Sequence, residues 1–283
     1  MMKKIFLLAC GLFGSLTLYA QAPSCCDQPV AQVSNDMALL ASNQSFVMLH
    51  EEPLPFTYQS AAGEMVKFKT ADGTEANGFL LKAANPSNKW LLVYQEWWGL
   101  NDYIKQEAEK LYNDLKDVNV LAVDMYDGKV ATTREEASKL VQVPRERLGA
   151  IMQGAISYVG PQAQIASVGW CFGGGMSLQS AILGGKQTVG CVMYYGQPEK
   201  NVERLKMLNT DVLGIFGAKD SGIPPATVAE FEKNMKEAGK QTTIQMYDAP
   251  HAFANPSNPG FNKEATADAY QITLNYLKTK LKV

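Results

Sequence analysis

Ile165-Ala166-Ser167-Val168-Gly169-Trp170-Cys171-Phe172-Gly173-Gly174-Gly175-Met176 decides how the rest of the chain is read. An apolar run of strand type breaks at Gly169, places one cysteine at a turn, and passes into a helical pattern from Met176 to Leu183. Strand, sharp turn, nucleophile and helix in that order is the layout of a nucleophile elbow. The glycines have a mechanical reason. A nucleophile on such a turn is forced toward strained backbone angles, and side chains at Gly169, Gly173 or Gly174 would clash with the adjoining strand and helix. The turn exposes a sulfur at the carboxyl end of a central strand. The next N–H, at a helix N-terminus, can donate to a developing oxyanion, and the helix end favours thiolate. A lone cysteine before glycines is equally a small residue buried at a tight turn, so the surrounding chain has to separate the two readings.

Outward from this stretch the pattern alternates. Met65 to Lys69 and Asn77 to Leu81 read as strands, with turns at Thr70–Gly73 and Asn85–Asn88. Trp90 to Tyr94 is a continuous apolar run, the mark of a strand buried on both faces. It ends in Gln95-Glu96-Trp97-Trp98-Gly99, and Asn101 or Asp102 can cap a helix over Tyr103–Leu115. Val118–Val123 is a strand, followed by helical stretches over Thr133–Leu140 and Pro144–Val159. After the elbow come strands at Val189–Tyr195 and Val212–Phe216. A helix over Pro225–Ala238 stops at Gly239. A strand at Thr242–Tyr247 and a last amphipathic helix over Lys263–Leu281 complete the chain. Strands alternating with helices imply an α/β fold with a mostly parallel central sheet and helices on both faces. Chemistry in such sheets collects at the carboxyl ends of strands, where Glu96, Cys171, Asp220 and His251 all fall.

A thiol nucleophile needs a base, and the base needs an anionic partner to fix its tautomer. The chain offers Cys171, then Asp220, then His251, which is the order nucleophile, acid, histidine. Asp124 precedes the nucleophile and Asp248 shares a turn with His251, so both fit that order poorly. Asp220 also opens an Asp-Ser-Gly turn, a common structural use of aspartate. The chain has two histidines. His50 lies beside Glu51 and Glu52 in a stretch without periodicity, reads as a surface histidine, and receives no role.

The remaining composition sets bounds. The chain has 283 residues, 46% of them hydrophobic, and a formal net charge of -2, enough apolar residue for a sizeable core and no basic footprint for nucleic acid. Lys3 and Lys4, the apolar run Ile5–Leu18 and Leu18-Tyr19-Ala20 read as a secretory signal peptide over 1–20, cleaved after Ala20. No stable membrane span is expected afterwards, and the protein is expected to be periplasmic or secreted. Residues 21–55 read as an N-terminal extension and 56–283 as the catalytic domain. Cleavage would remove Cys10 and leave Cys25, Cys26, Cys171 and Cys191 in an oxidising compartment. A Cys171–Cys191 disulfide is the structural rival to catalysis.

The chain resembles the dienelactone hydrolase family of the α/β-hydrolase superfamily from about Thr57 to the C-terminus. The resemblance rests on Gln95 to Asn101, Val123-Asp124-Met125-Tyr126, Gly169 to Gly174, Gly217-Ala218-Lys219-Asp220 with Ile223-Pro224, and Tyr247 to Phe253. It implies an α/β-hydrolase fold and a Cys171–His251–Asp220 triad. It implies an oxyanion hole from the backbone N–H groups of Phe172 and Trp97, and a glutamate, Glu96, that meets the resting thiol and moves when substrate binds. Trp98, Tyr126 and Lys129 are expected near substrate. The chain departs from the dienelactone-opening pattern where arginines should grip a substrate carboxylate: it has Asp127-Gly128-Lys129 and Ala252 to Asn255 there, and Asn255 cannot replace a bidentate arginine. The expectation is a hydrolase of carboxylic esters or lactones that works through a thioester, with no cofactor and no metal. Its partner is a small-molecule substrate. Oligomeric state is not readable. The rivals are a non-catalytic small-molecule binding protein on the same scaffold and a thiol redox protein, which would lack a Cys-x-x-Cys motif.

Overall fold

A computed structural model describes residues 33–283. The expected signal segment, Cys10, Cys25 and Cys26 lie outside the described residues. Two one-turn helices, α1 (Met37–Leu40) and α2 (Gln44–Val47), precede the sheet. The strands are β1 (Gly63–Lys69), β2 (Glu75–Leu81), β3 (Lys89–Tyr94), β4 (Asn119–Val123), β5 (Gln164–Trp170), β6 (Thr188–Tyr194), β7 (Val212–Gly217) and β8 (Thr242–Tyr247). The longer helices are α3 (Asp102–Leu115), α4 (Arg134–Leu140), α5 (Arg145–Tyr158), α6 (Phe172–Gly184), α8 (Pro225–Glu237) and α9 (Lys263–Leu281), with a single turn α7 (Val202–Leu205) between β6 and β7.

The eight strands form one sheet in the order β1-β2-β4-β3-β5-β6-β7-β8. β1 and β2 pair antiparallel and β2 meets β4 antiparallel; the rest run parallel. α5 packs on α6 and α3 on α9, giving a helical layer on each side. This is why the strands lack polar alternation. In β3, Leu91, Leu92, Val93 and Tyr94 are all fully buried, each worth roughly 1.5–3 kcal/mol of burial. Helix α3 shows the opposite pattern: Ile104, Ala108, Leu111 and Leu115 form one buried stripe, and the Asn101 side chain accepts from the Ile104 N–H at 3.2 Å, a conventional N-cap. Helix α4 begins with a capping box, Thr133 with Glu136.

Helix α6 is buried along all of its residues, because it crosses the sheet under α5. Its glycines set how closely it can lie. A Cβ on Gly173 would run into the carbonyl oxygens of Tyr94 and Gln95, one on Gly169 into the Gly173 carbonyl, and one on Gly174 would come within 2.6 Å of the Tyr194 carbonyl oxygen. The close packing expected of the elbow is therefore present at all three positions.

The extension is part of the packed molecule. Val33, Met37, Ala41 and Phe46 are buried in the main core. The Asn35 amide donates to the Val141 carbonyl at 3.0 Å, and the Tyr58 N–H donates to Asp102 at 2.9 Å. The segment thus runs across the carboxyl ends of the strands and is fastened at both sides.

Candidate active site

β5 ends at Trp170, and Cys171 follows at φ 55, ψ -118. This is a sparsely populated conformation for a residue with a side chain, and the surrounding contacts hold it there. β7 leads to Asp220 and β8 to His251. The His251 Nδ1 lies 2.6 Å from Asp220 Oδ2, and its Nε2 lies 3.4 Å from Cys171 Sγ. The second Asp220 oxygen accepts the N–H groups of Gly222 and Ile223 at 2.8 and 2.9 Å. Asp220 is thereby fixed, and its turn use and its contact with His251 coexist. All three residues are 2% exposed.

The electrostatics follow from that burial. Burial pushes the Cys171 thiol up, against the pull of His251. Burial alone would lower His251, but the Asp220 carboxylate and the cysteine outweigh it and draw it up. Burial opposes ionisation of Asp220 as well, yet His251 and the two N–H groups bring it below its ordinary value. A proton passing from Sγ to Nε2 would therefore be held on His251 by Asp220.

The other aspartates are occupied elsewhere. Asp124 accepts from the Tyr126 N–H at 2.9 Å and from the Gly128 N–H at 2.5 Å, shaping the loop after β4. Asp248 pairs with Lys219 at the surface. Cys191 and Cys171 are both free and buried. Trp170 is in register with Tyr194, so Cys191 lies about four residues, roughly 13 Å, down the neighbouring strand. That is too far for a disulfide. Burial holds the Cys191 thiol at about 12, an inert core residue.

Glu96 is buried rather than facing water, at 7% exposure. The Asn255 amide donates to its Oε2 at 2.6 Å and the Tyr195 hydroxyl to its Oε1 at 3.5 Å. Burial pushes its carboxyl up to about 7, against the pull of His251, Asn255 and Tyr195. Among the described residues the side chains that hydrogen-bond the thiol are His251 and His50 rather than Glu96, and the Phe172 N–H donates to it as well. Trp97 and Trp98 are buried and meet edge to face at 5.0 Å. The Tyr126 hydroxyl and the Trp97 indole N–H are buried with no hydrogen-bond partner among the described residues. Lys129 is exposed on the loop after β4 and makes no ion pair to this site among the described residues.

His50 corrects the sequence reading. It is 3% exposed, its Nε2 lies 3.5 Å from Cys171 Sγ, and its Nδ1 lies 3.1 Å from the Phe46 carbonyl oxygen. A carbonyl only accepts, so Nδ1 carries the hydrogen and Nε2 the lone pair. The ring packs on Trp97 at 4.3 Å and on His251 at 4.9 Å. Burial lowers it to about 3, so the ring is neutral. The Glu51-Glu52 neighbourhood suggested a surface site, but those carboxylates are turned to Arg134. The available signal was the count: a chain with two histidines places both on its candidate nucleophile.

Beside the sulfur, a cleft of about 210 Å³ is lined by Glu96, Tyr103, Trp170, Tyr195, Asn255 and Tyr270 among others. It reaches Glu96 and Tyr195 but stops short of Sγ.

The family model described as "Dienelactone hydrolase family" matches residues 76–281. The chain belongs to the dienelactone hydrolase family. It is similar to the carboxymethylenebutenolidase of Pseudomonas sp. (strain P51), 33% identical over 134 residues, which span 46% of this chain and 55% of that one. A relative in Aquifex aeolicus (strain VF5), given the same name provisionally, is 24% identical over 236 residues, 78% of this chain and 100% of its own. Among solved structures, the dienelactone hydrolase-like promiscuous phosphotriesterase P91 from metagenomic libraries superposes with a TM-score of 0.67 at 20% identity, over 78% of this chain and 99% of that one. That likeness shows the α/β-hydrolase fold. With the family in hand, this dienelactone hydrolase family member is a hydrolase.

Proposed function

We propose that the chain hydrolyses neutral carboxylic esters or lactones through a thioester on Cys171. The observation that carries this reading is the unbroken line Asp220–His251–Cys171, at 2.6 and 3.4 Å, on an elbow that holds the sulfur at positive φ. Cys171 Sγ gives its proton to His251 Nε2 and attacks the carbonyl carbon. The carbonyl electron pair moves to oxygen, where the N–H groups of Phe172 and Trp97 would receive it. Collapse expels the alkoxide, which takes the proton from Nε2. Water then attacks the thioester, gives a proton to His251, and releases the acid and the thiol. Asp220 orients the ring and stabilises its cation.

The cleft lined by Glu96, Tyr103, Trp170, Tyr195 and Asn255 supplies the substrate surface. Its cation, Lys110, is paired with Glu107 and stacked on the Tyr270 ring, and Asn255 stands where a carboxylate-bearing substrate would need an arginine. This supports uncharged substrates over dienelactones. Lys129 is exposed and does not line the cleft. We also propose that residues 1–20 direct export and are removed, so that the mature chain begins at Gln21; intact mass of protein recovered outside the cytoplasm checks this. The main test is turnover of aryl esters and small lactones under mild reductant, with Cys171→Ala beside it. Activity is expected in the parent and a loss of roughly 10⁴-fold or more in the variant. Equal activity in both would overturn the reading.

A further inference from the structure

His50, Cys171 and His251 present Nε2, Sγ and Nε2 within 4.8 Å of one another, and all three are buried. We propose that these three side chains form a site for a divalent ion of the zinc class, and that occupancy silences the nucleophile. Thiolate with two imidazoles is a donor set of that class. Zinc–sulfur and zinc–nitrogen bonds of about 2.3 and 2.0–2.1 Å at tetrahedral angles put sulfur and nitrogen about 3.5 Å apart. The two sulfur–nitrogen edges here are 3.4 and 3.5 Å, so only the edge between the two nitrogens has to adjust.

A second observation is independent of that spacing. Metal-bound histidines almost always donate their other ring N–H to a carbonyl or a carboxylate, which fixes the tautomer. Both partners are in place: the Phe46 carbonyl on Nδ1 of His50 and the Asp220 carboxylate on Nδ1 of His251. Once the proton shared by Sγ and His251 Nε2 is displaced, two Nε2 lone pairs converge on one point beside the sulfur. The charges balance, since a dication meets the thiolate and Asp220. Phe46 and Trp97 pack on the two imidazoles and form an apolar wall, and a fourth position is left for water or another small ligand.

The ligands come from different parts of the chain. Cys171 and His251 belong to the sheet, while His50 belongs to the N-terminal segment. A bound ion would therefore pin that segment over the sulfur. Binding displaces the thiol proton to solvent. The coordinated thiolate gives up charge to the ion and is a weaker nucleophile, and His251 Nε2, held as a ligand, can no longer act as base or acid. The silencing half of the proposal rests on the hydrolase reading; the binding half does not.

The test uses the full mature chain in a non-chelating reductant. Co²⁺ is titrated as a spectroscopic probe and Zn²⁺ as its competitor. One equivalent of Co²⁺ should give a thiolate-to-cobalt charge-transfer band and release about one proton, and Zn²⁺ should displace it. Cys171→Ser should lose the band, which separates this site from Cys25 and Cys26. His50→Gln, checked for folding by circular dichroism, should weaken binding by about 10–100-fold. Limited proteolysis of the segment before β1 should slow when Zn²⁺ is bound. The ratio of turnover with Zn²⁺ to turnover with chelator should be far below one in the parent and rise toward one in His50→Gln. Absence of a thiolate band, or His50→Gln binding as tightly as the parent, would overturn the site. Metal binding with no turnover in the chelated parent would leave the site standing and contradict the hydrolase reading.

Discussion

At the scale of residues, the site depends on Asp220 making two kinds of contact at once. One oxygen takes backbone N–H groups and the other takes His251. Asp220→Asn keeps the shape and loses the charge, so kcat should fall by roughly 10⁴-fold, with the fold unchanged by circular dichroism. Glu96 gives a stability prediction with a definite sign. Its carboxyl sits at about 7 in the folded chain against an ordinary 4.5, so the folded state binds the proton more tightly. That stability is fully present below about 4.5 and is lost as pH rises toward about 7. The loss is on the order of 3 kcal/mol, and urea midpoints measured across that window should show it in the parent and not in Glu96→Gln.

The individual residues of the site were legible to different degrees. Cys171 and Asp220 follow strands recognisable from their apolar runs and His251 follows one recognisable from its β-prone residues, Thr242 to Tyr247, so their convergence could be read from chain order. The contacts of Glu96 could not: its partner Asn255 lies 159 positions away, and no local pattern encodes that pairing. His50 was hidden for a similar reason. It sits four residues after Phe46 on a one-turn helix capped by Asn43, and one turn is too short to show a period.

At the scale of elements, the elbow depends on α6 lying against the strand ends. Gly173→Ala puts a methyl group into two backbone carbonyls that cannot move without shifting β3. It should cost about 3 kcal/mol or more and lower soluble yield. Gly175→Ala, whose nearest neighbour is 3.2 Å away, should be far milder; a thermal melt of the pair decides this. Most element boundaries were readable to within a residue or two, because buried parallel strands and capped amphipathic helices have strong local signatures. α7 was not, being a single turn between two strands. The ordered packing of residues 33–62 was also not readable, because its four buried apolar residues fit the core individually without forming a stripe.

At the scale of the whole molecule, the N-terminal segment closes a site that the hydrolase domain alone would leave open. Phe46 packs edge-on to His251 at 5.4 Å and also occupies the space a Cβ on Gly222 would need. Phe46→Ala should speed alkylation of Cys171 by iodoacetamide, read by peptide mass spectrometry. Cys191, enclosed in the second core cluster, should stay protected in both proteins until unfolding. An unchanged Cys171 rate would mean that the segment does not limit access.

The most direct measurement is intact mass of the protein quenched in acid during turnover of an activated aryl ester. A covalent intermediate predicts an adduct of one acyl group, mapped to the peptide containing Cys171, absent in Cys171→Ala and lasting longer in Asp220→Asn. Steady turnover with the acyl group on another residue would contradict the account, as would the same adduct in Cys171→Ala.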